Sequence, residues 1–456
     1  MVFKPSTFLV LAAVTLAALQ VQHADASSLE YDPYTTCTSY DIDNKNFPGR
    51  DSEIEDDGTC TVTVPEDPNR PPNRKLEEVY GDDIADLEAY FGTPLERKLK
   101  NLPTSAVYTP SPWAGSKWPT YLDSINYEWN KGEPSPAEKY ATAFGLNVTV
   151  FKDSVSLQNG INSMNDPREC TTDKECFDPD VDTVCAKRAG KSSGFCIPTW
   201  YGMGHAWAPA AIHEKEPNCP VTYNGVTFQP MDIKALLTDV YTDANISYVF
   251  TGSRYNGYND SIDEYGSHTD YSYRDLNPGY FHIASANLLG LLNTTFIIDR
   301  EAGIEVWNQP VVGFEVYEQT SMTTEKAANT FYKLDEYIWN PNATSIVYVK
   351  SHLSRISETY TDGGLVASGL NDNFTVGTNY TYLLELNYDE EIVGGEWLYE
   401  SNDIHPDFLW LPTSMPASDV VTSIGLSYAN VTMLLEMAVQ CFESVSQSVM
   451  KTGLTA

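Results

Sequence analysis

Basic residues are scarce in this 456-residue chain: 28 Lys and Arg stand against 63 Asp and Glu, a formal net charge of −35. A chain this acidic repels phosphate backbones and anionic lipid headgroups, which excludes nucleic acid as a partner. Charge of either sign is sparse too, at 20% of residues, whereas 42% are hydrophobic and 12% aromatic. That balance excludes a disordered acidic tail and provides for a sizeable core, in a length suited to two or three domains. Beyond the N-terminal segment no apolar run is long enough to cross a bilayer, so no membrane span is expected.

The N-terminus reads as a secretory signal. Lys4 gives a positive start, Phe8 to Val21 is mostly apolar, and Ala24-Asp25-Ala26 places small residues where a signal peptidase reads them. Residues 1–26 are therefore expected to be a signal peptide and the protein secreted and extracellular. Eight cysteines agree with an oxidising compartment: Cys37, Cys60, Cys170, Cys176, Cys185, Cys196, Cys219 and Cys441, an even number that can pair completely. Eight N-x-S/T sequons offer glycosylation sites at Asn147, Asn245, Asn259, Asn293, Asn342, Asn373, Asn379 and Asn430.

Residues 27–105 read as an acidic leader or pro-segment, with an Asp/Glu run at 51–57, prolines at 65, 68, 71 and 72, and some helical periodicity over Lys75 to Phe91. Arg97-Lys98-Leu99-Lys100 is either a processing site or a solvated loop. A core is expected over 106–330, with a Cys-rich insert at 170–196 spaced C-x5-C-x8-C-x10-C. That spacing lacks CxxC pairs, which favours disulfides over zinc. Asp178, Asp180 and Asp182 alternate like the start of a calcium loop but lack its Gly and terminal Glu. Met231 to Tyr241 reads as an amphipathic helix. Short apolar runs from Gly279 to Gln319, then Ser345–Leu353 and Tyr380–Leu386, read as strands. The region 331–456 is expected to be β-rich and to close with a helix from about Val431 to Met450, capped by Asn430. The fold class expected is α+β.

Two stretches carry possible chemistry. In Trp200-Tyr201-Gly202-Met203-Gly204-His205-Ala206-Trp207, glycines lead into a helix whose N-terminus would favour a thiolate, with Pro209 near its first turn. By spacing alone this is a Gly-rich turn before a core helix. In the second stretch, His282 and Asp299 are expected on adjacent strands, where the acid would orient the imidazole as a base. His268, His352 and His405 are the other candidates for that base. The acidic run Asp260, Asp263, Glu264, Asp270 and Asp275 offers hard oxygen ligands or a solvated loop.

The segment Val306-Trp307-Asn308-Gln309-Pro310-Val311-Val312-Gly313-Phe314-Glu315-Val316-Tyr317-Glu318 resembles VWNQPVRGFKVYE, the elicitor segment of the oomycete transglutaminase elicitor family, departing only at Val312 and Glu315. The WYGMGHAWAPAAI stretch and the Cys-rich run resemble that family as well. The resemblance implies a secreted, calcium-dependent transglutaminase with a papain-like cysteine-protease-type core. Such an enzyme joins a protein Gln carboxamide to a Lys amine. It also implies recognition by a plant immune receptor through the elicitor segment, with Trp307 and Pro310 as contacts. The family pattern G-x-C-H-A-W places the nucleophilic Cys where this chain has Gly204. A glycine holds no acyl group, so the expectation is a catalytically impaired member or a non-catalytic secreted binding or elicitor protein. Val312 and Glu315 are expected to turn a basic strand surface neutral to acidic.

Overall fold

The computed structural model describes residues 82–452 apart from Asn165, Asp166, Asn256, Tyr258, Asn259 and Asp275, together with a short pairing of Glu53–Ile54 with Cys60–Thr61; from Cys441 onward only backbone is described. The expected signal peptide, most of the leader, Cys37, and the side chains of Cys60 and Cys441 lie outside the described residues.

The fold centres on an eight-stranded antiparallel sheet. Its strands are β1 (Ser105–Val107), β2 (Tyr248–Gly252), β3 (Ile297–Asp299), β4 (Asn308–Met322), β5 (Ser345–Ile356), β6 (Thr375–Leu386), β7 (Ile392–Trp397) and β8 (Phe408–Pro412). They lie in the order β7-β6-β5-β4-β3-β8-β2, with β1 also pairing with β4. Strands from both sides of residue 330 thus share one sheet. The principal helices are α1 (Asp82–Phe91), α2 (Pro136–Ala143), α3 (Val148–Gln158), α4 (Gly204–His213), α5 (Pro230–Asp243), α6 (Pro278–Ser285) and α7 (Tyr428–Thr452). The architecture is α+β.

Strand side chains alternate between the two faces of the sheet. Val311, Phe314, Val349 and Leu353 enter a layer with Ile84 and Leu87 of α1 and Phe281 and Ile283 of α6. Val312 and Ile356 enter the opposite layer, with Ala206, Trp207 and Ala210 of α4 and residues of α2, α3, α5 and α7. A third cluster covers the far end of that second face with Trp339, Ile346 and Leu383.

Several elements differ from their sequence patterns. Gly279 to Ile283 forms helix, not strand. Pro278 sits in its first turn and the Asn277 side chain accepts from the Gly279 amide at 2.8 Å, a start signal that outweighs the β-like apolar run. Gly279 also lets α6 approach β7, since a Cβ there would lie 2.6 Å from the Gly394 carbonyl oxygen. Helix α5 is buried from Met231 through Thr242 and has no solvent face. Two of its charges are paired: Asp232 accepts from Lys139 at 2.6 Å and from Trp129 at 2.8 Å, and Lys234 donates to Glu216 at 2.7 Å, whereas Asp239 accepts from the Asn159 amide at 3.2 Å and burial pushes its carboxyl up to about 7. Helix α7 begins at Tyr428, so Asn430 lies in its first turn and is not its cap. Pro209 falls in the middle of α4, not near its start.

Residues 82–105 belong to the packed fold: Ile84, Leu87, Leu95 and Leu102 are buried. The basic cluster is built into it, with Arg97 paired to Glu88 at 3.1 Å and Lys100 to Glu390 at 2.5 Å. In the Cys-rich insert, Cys170–Cys185 and Cys176–Cys196 staple a three-stranded sheet. Arg188 ties it to the core through Asp123 and Asp153.

Candidate functional site

The start of α4 is braced by the segment before it. The Met203 amide donates to the Lys117 carbonyl at 2.5 Å, and the Thr120 amide to the Tyr201 carbonyl at 3.0 Å. Gly202 has no room for a side chain, because a Cβ there would sit 2.8 Å from the Lys117 oxygen. Alanines 206, 208, 210 and 211 are buried, which lets the helix lie close on the sheet. No side chain caps the helix start, where the positive end of the helix dipole lies.

Gly204 differs from Gly202. A Cβ built on it meets only Asn308 and Lys117, at 3.9 Å each, which is ordinary contact. The position is half-buried and could hold a side chain. Asn308 pairs directly with Asp299 across β3 and β4, so both project on the α4 face. The Asn308 side-chain oxygen accepts from Trp410 at 2.8 Å. Asp299 accepts from the Trp307 amide at 2.8 Å through one oxygen, while its other oxygen is buried without a hydrogen-bond partner. Burial pushes the Asp299 carboxyl up to about 7, against the opposing pull of the Trp307 amide and Arg254.

Charged groups ring this position. Lys117 Nζ lies 3.7 Å from the centre of the Trp307 ring and 3.6 Å from Glu358. Arg300 also packs on Trp307, whose indole donates to Glu305 at 2.9 Å. Burial lowers the Lys117 pKa and raises that of Glu358. Lys117 and Glu358 carried no signal in the sequence: they lie far from residue 204 along the chain and in no motif.

His282 does not join this group. It lies on α6, and its neighbours Phe281, Ile283 and Phe314 belong to the layer on the other face of the sheet from α4. Along β3, Ile298 faces that layer while Ile297 packs with Ala208 of α4, so Asp299 points away from His282. The His282 Nδ1 instead lies 2.8 Å from the Tyr382 hydroxyl, and burial drives the imidazole down to about 3. The expected His282–Asp299 pair is thus divided by the sheet, because a helix replaced the expected strand. The other candidates are occupied elsewhere: His268 stacks on Tyr273, His352 bonds Asn379 at 2.8 Å, and His405 lies 2.7 Å from the Tyr273 carbonyl. His205, beside Gly204, is buried and held down to about 4.

The elicitor-like segment runs into the middle of the sheet. Asn308 through Phe314 are buried, and Glu315 and Tyr317 are exposed. Val312 is 7% exposed and packs under α4, so only Glu315 of the two departures alters a surface.

Among the described residues, the acidic run does not gather three ligand oxygens into a calcium cage. Asp260 accepts from the Thr269 and Asp270 amides, Asp263 from the Tyr265 and Ser267 amides, and Asp270 from Ser272. These oxygens shape turns and do not converge; Asp275 lies outside the described residues. Asp178 and Asp182 likewise serve the Asp180 amide and the Thr199 hydroxyl. Among the described residues, one group of three metal-ligand types comes together, Cys170, Cys176 and Cys185, and all three are in disulfides. Cys219 is disulfide-bonded as well, and no described cysteine is free. No helix among the described residues is long and apolar enough to cross a membrane.

A family model described as transglutaminase elicitor matches residues 83–441. Among solved structures, the GP42 transglutaminase from Phytophthora sojae is similar, with 57% sequence identity and a TM-score of 0.73, covering 80% of this chain and 100% of that one. No curated protein matches the chain.

Proposed function

The chain belongs to the transglutaminase elicitor family, and from that premise we propose that it is a secreted, catalytically impaired protein-glutamine γ-glutamyltransferase. The observation that carries this reading is Gly204. It opens a helix at the sheet, has space for a side chain, faces Asn308 on the strand face that also bears Asp299, and supplies no nucleophile. A helix N-terminus laid on an antiparallel sheet is also what a papain-like core requires.

In the acyl transfer this scaffold suits, a thiolate attacks the Gln carboxamide carbon, ammonia leaves, and the thioester passes to a Lys amine. The first step needs sulfur at 204 and a base on the α4 face. Asp299, raised to about 7, takes the base role in place of His282. Gly204 leaves the first step without an attacking atom.

The reading is tested by incorporation of a labelled amine into a Gln-containing protein, with calcium present. The native chain is expected to give none above background, and Gly204→Cys to give measurable transfer. Efficient transfer by the native chain would overturn the proposal.

Within the folded chain, the polypeptide leaves Glu315 and Tyr317 at its surface and buries the stretch from Asn308 to Phe314, out of a plant receptor's reach. Perception of the whole segment, Pro310 included, therefore follows unfolding or proteolysis. A folded, protease-resistant preparation should elicit less defence response per mole than its own digest; equal potency would refute this.

A further inference from the structure

We propose that Asn379 carries an N-linked oligosaccharide that lies across the sheet and covers the exposed end of β4. The inference is independent of whether position 204 can catalyse anything.

The register sets the geometry. Ser105, Glu315, His352 and Asn379 stand in one row across β1, β4, β5 and β6. Cross-strand partners project on the same face, and β6 lies two strand spacings from β4, about 10 Å. Among the described residues nothing covers this row, which forms an open strip. To one side Ile356 of β5 is roofed by the α4 layer, and to the other Ile346 is roofed by the Trp339 cluster. Between them Glu315, Gly377 and Asn379 are exposed.

The side chains fit the modification. Asn379-Tyr380-Thr381 is a sequon whose Asn and Thr share the outer face while Tyr380 is fully buried. The His352 ring reaches the Asn379 side-chain oxygen at 2.8 Å. That contact engages the oxygen and leaves the amide nitrogen for the sugar. Gly377 permits the ring to lean this way, since a Cβ there would strike it. Asn430 is the contrast: its amide nitrogen donates to the Tyr140 hydroxyl at 3.2 Å, which opposes attachment in the folded protein.

The donor is a lipid-diphosphate oligosaccharide of the secretory pathway. The bond from sugar C1 to the diphosphate oxygen breaks, a bond from C1 to the Asn379 amide nitrogen forms, and that nitrogen loses one proton. The attached chain then rests on the strip and keeps macromolecules from Glu315 and Tyr317.

The experiment uses the full chain secreted from a glycosylating eukaryotic host. Peptide mapping after amidase release in heavy-oxygen water marks the occupied asparagines. A Glu315→Cys variant then reports access, through its reaction with a small iodoacetamide and with a polymer-sized maleimide. We expect Asn379 to be occupied and Asn430 not. The maleimide reaction should be several-fold slower than after endoglycosidase trimming or in a Thr381→Ala background, with the iodoacetamide reaction unchanged. Trimming needs no change to the sequon, so a folding defect in Thr381→Ala leaves the test intact. An unoccupied Asn379, or equal maleimide rates before and after trimming, would overturn the proposal.

Discussion

Helices α4 and α6 press on opposite faces of the same sheet, and each carries a histidine that a sequence reader would notice. Helix α6 is sealed: every residue from Pro278 to Ser285 is buried, and His282 has a tyrosine hydroxyl as its partner. Helix α4 is less closed: Gly204 is half-buried, its start has no side-chain cap, and the strand face beneath it bears an acid with an unpartnered oxygen. A histidine motif marks chemistry only where access and an unmet polar group accompany it. The face with the stronger histidine pattern is the more closed one.

The sharpest way to break this contrast is to place sulfur on the α4 side. Gly204→Cys should add one alkylatable thiol to the protein, and should give amine incorporation. Adding Asp299→Asn should abolish the gained activity while leaving the thiol titratable by iodoacetamide. Loss of the same activity in a folded His282→Phe variant would instead place the base on the α6 side.

His282→Ala should cost about 3 kcal/mol, through the cavity it opens and the Tyr382 hydroxyl it strands. Denaturant unfolding measures it, and a cost below about 1 kcal/mol would contradict the packed reading of α6.

The two faces should also titrate in opposite senses. The Asp299 carboxyl is raised to about 7, so folding loses stability as pH rises from its unfolded value through 7. The His282 imidazole is lowered to about 3, so folding loses stability as pH falls from its unfolded value towards 3. Asp299→Asn should therefore stabilise the protein more at about pH 8 than at about pH 5, seen as a Tm gain that grows with pH. A pH-independent gain would count against a buried, proton-holding Asp299.

The smallest effect is expected where β4 leaves the core. Glu315→Lys should change stability by under about 0.5 kcal/mol, whereas Val312→Ala should cost about 2 kcal/mol. Similar costs at the two positions would erase the distinction between the buried and exposed parts of the segment.

Much of the fold could be read along the chain. Helix α5 and the strands at Ser345 and Tyr380 follow from local periodicity, and the crowded cysteines announced the stapled insert. The glycine turn before α4 was equally local. The failure at His282 was local too: Asn277-Pro278 is a helix start, but the apolar run after it suits a strand equally well. Lys117 and Glu358 gave no warning, since nothing in the sequence says that the segment before Trp118 braces residue 203. Val312 passed for a surface residue because alternation marks two faces without saying that both are covered.

The sequence by itself determined that residue 204 is a glycine, an identity that needs no coordinates. It also determined the acidic character of the chain and its even number of cysteines, both being sums over composition. Only the tertiary structure decided which groups surround that residue. A sheet side chain points to one face or the other, and which helix covers each face is set by contacts between residues far apart in the chain. That choice put Asp299 on the face of Gly204 and His282 behind the sheet.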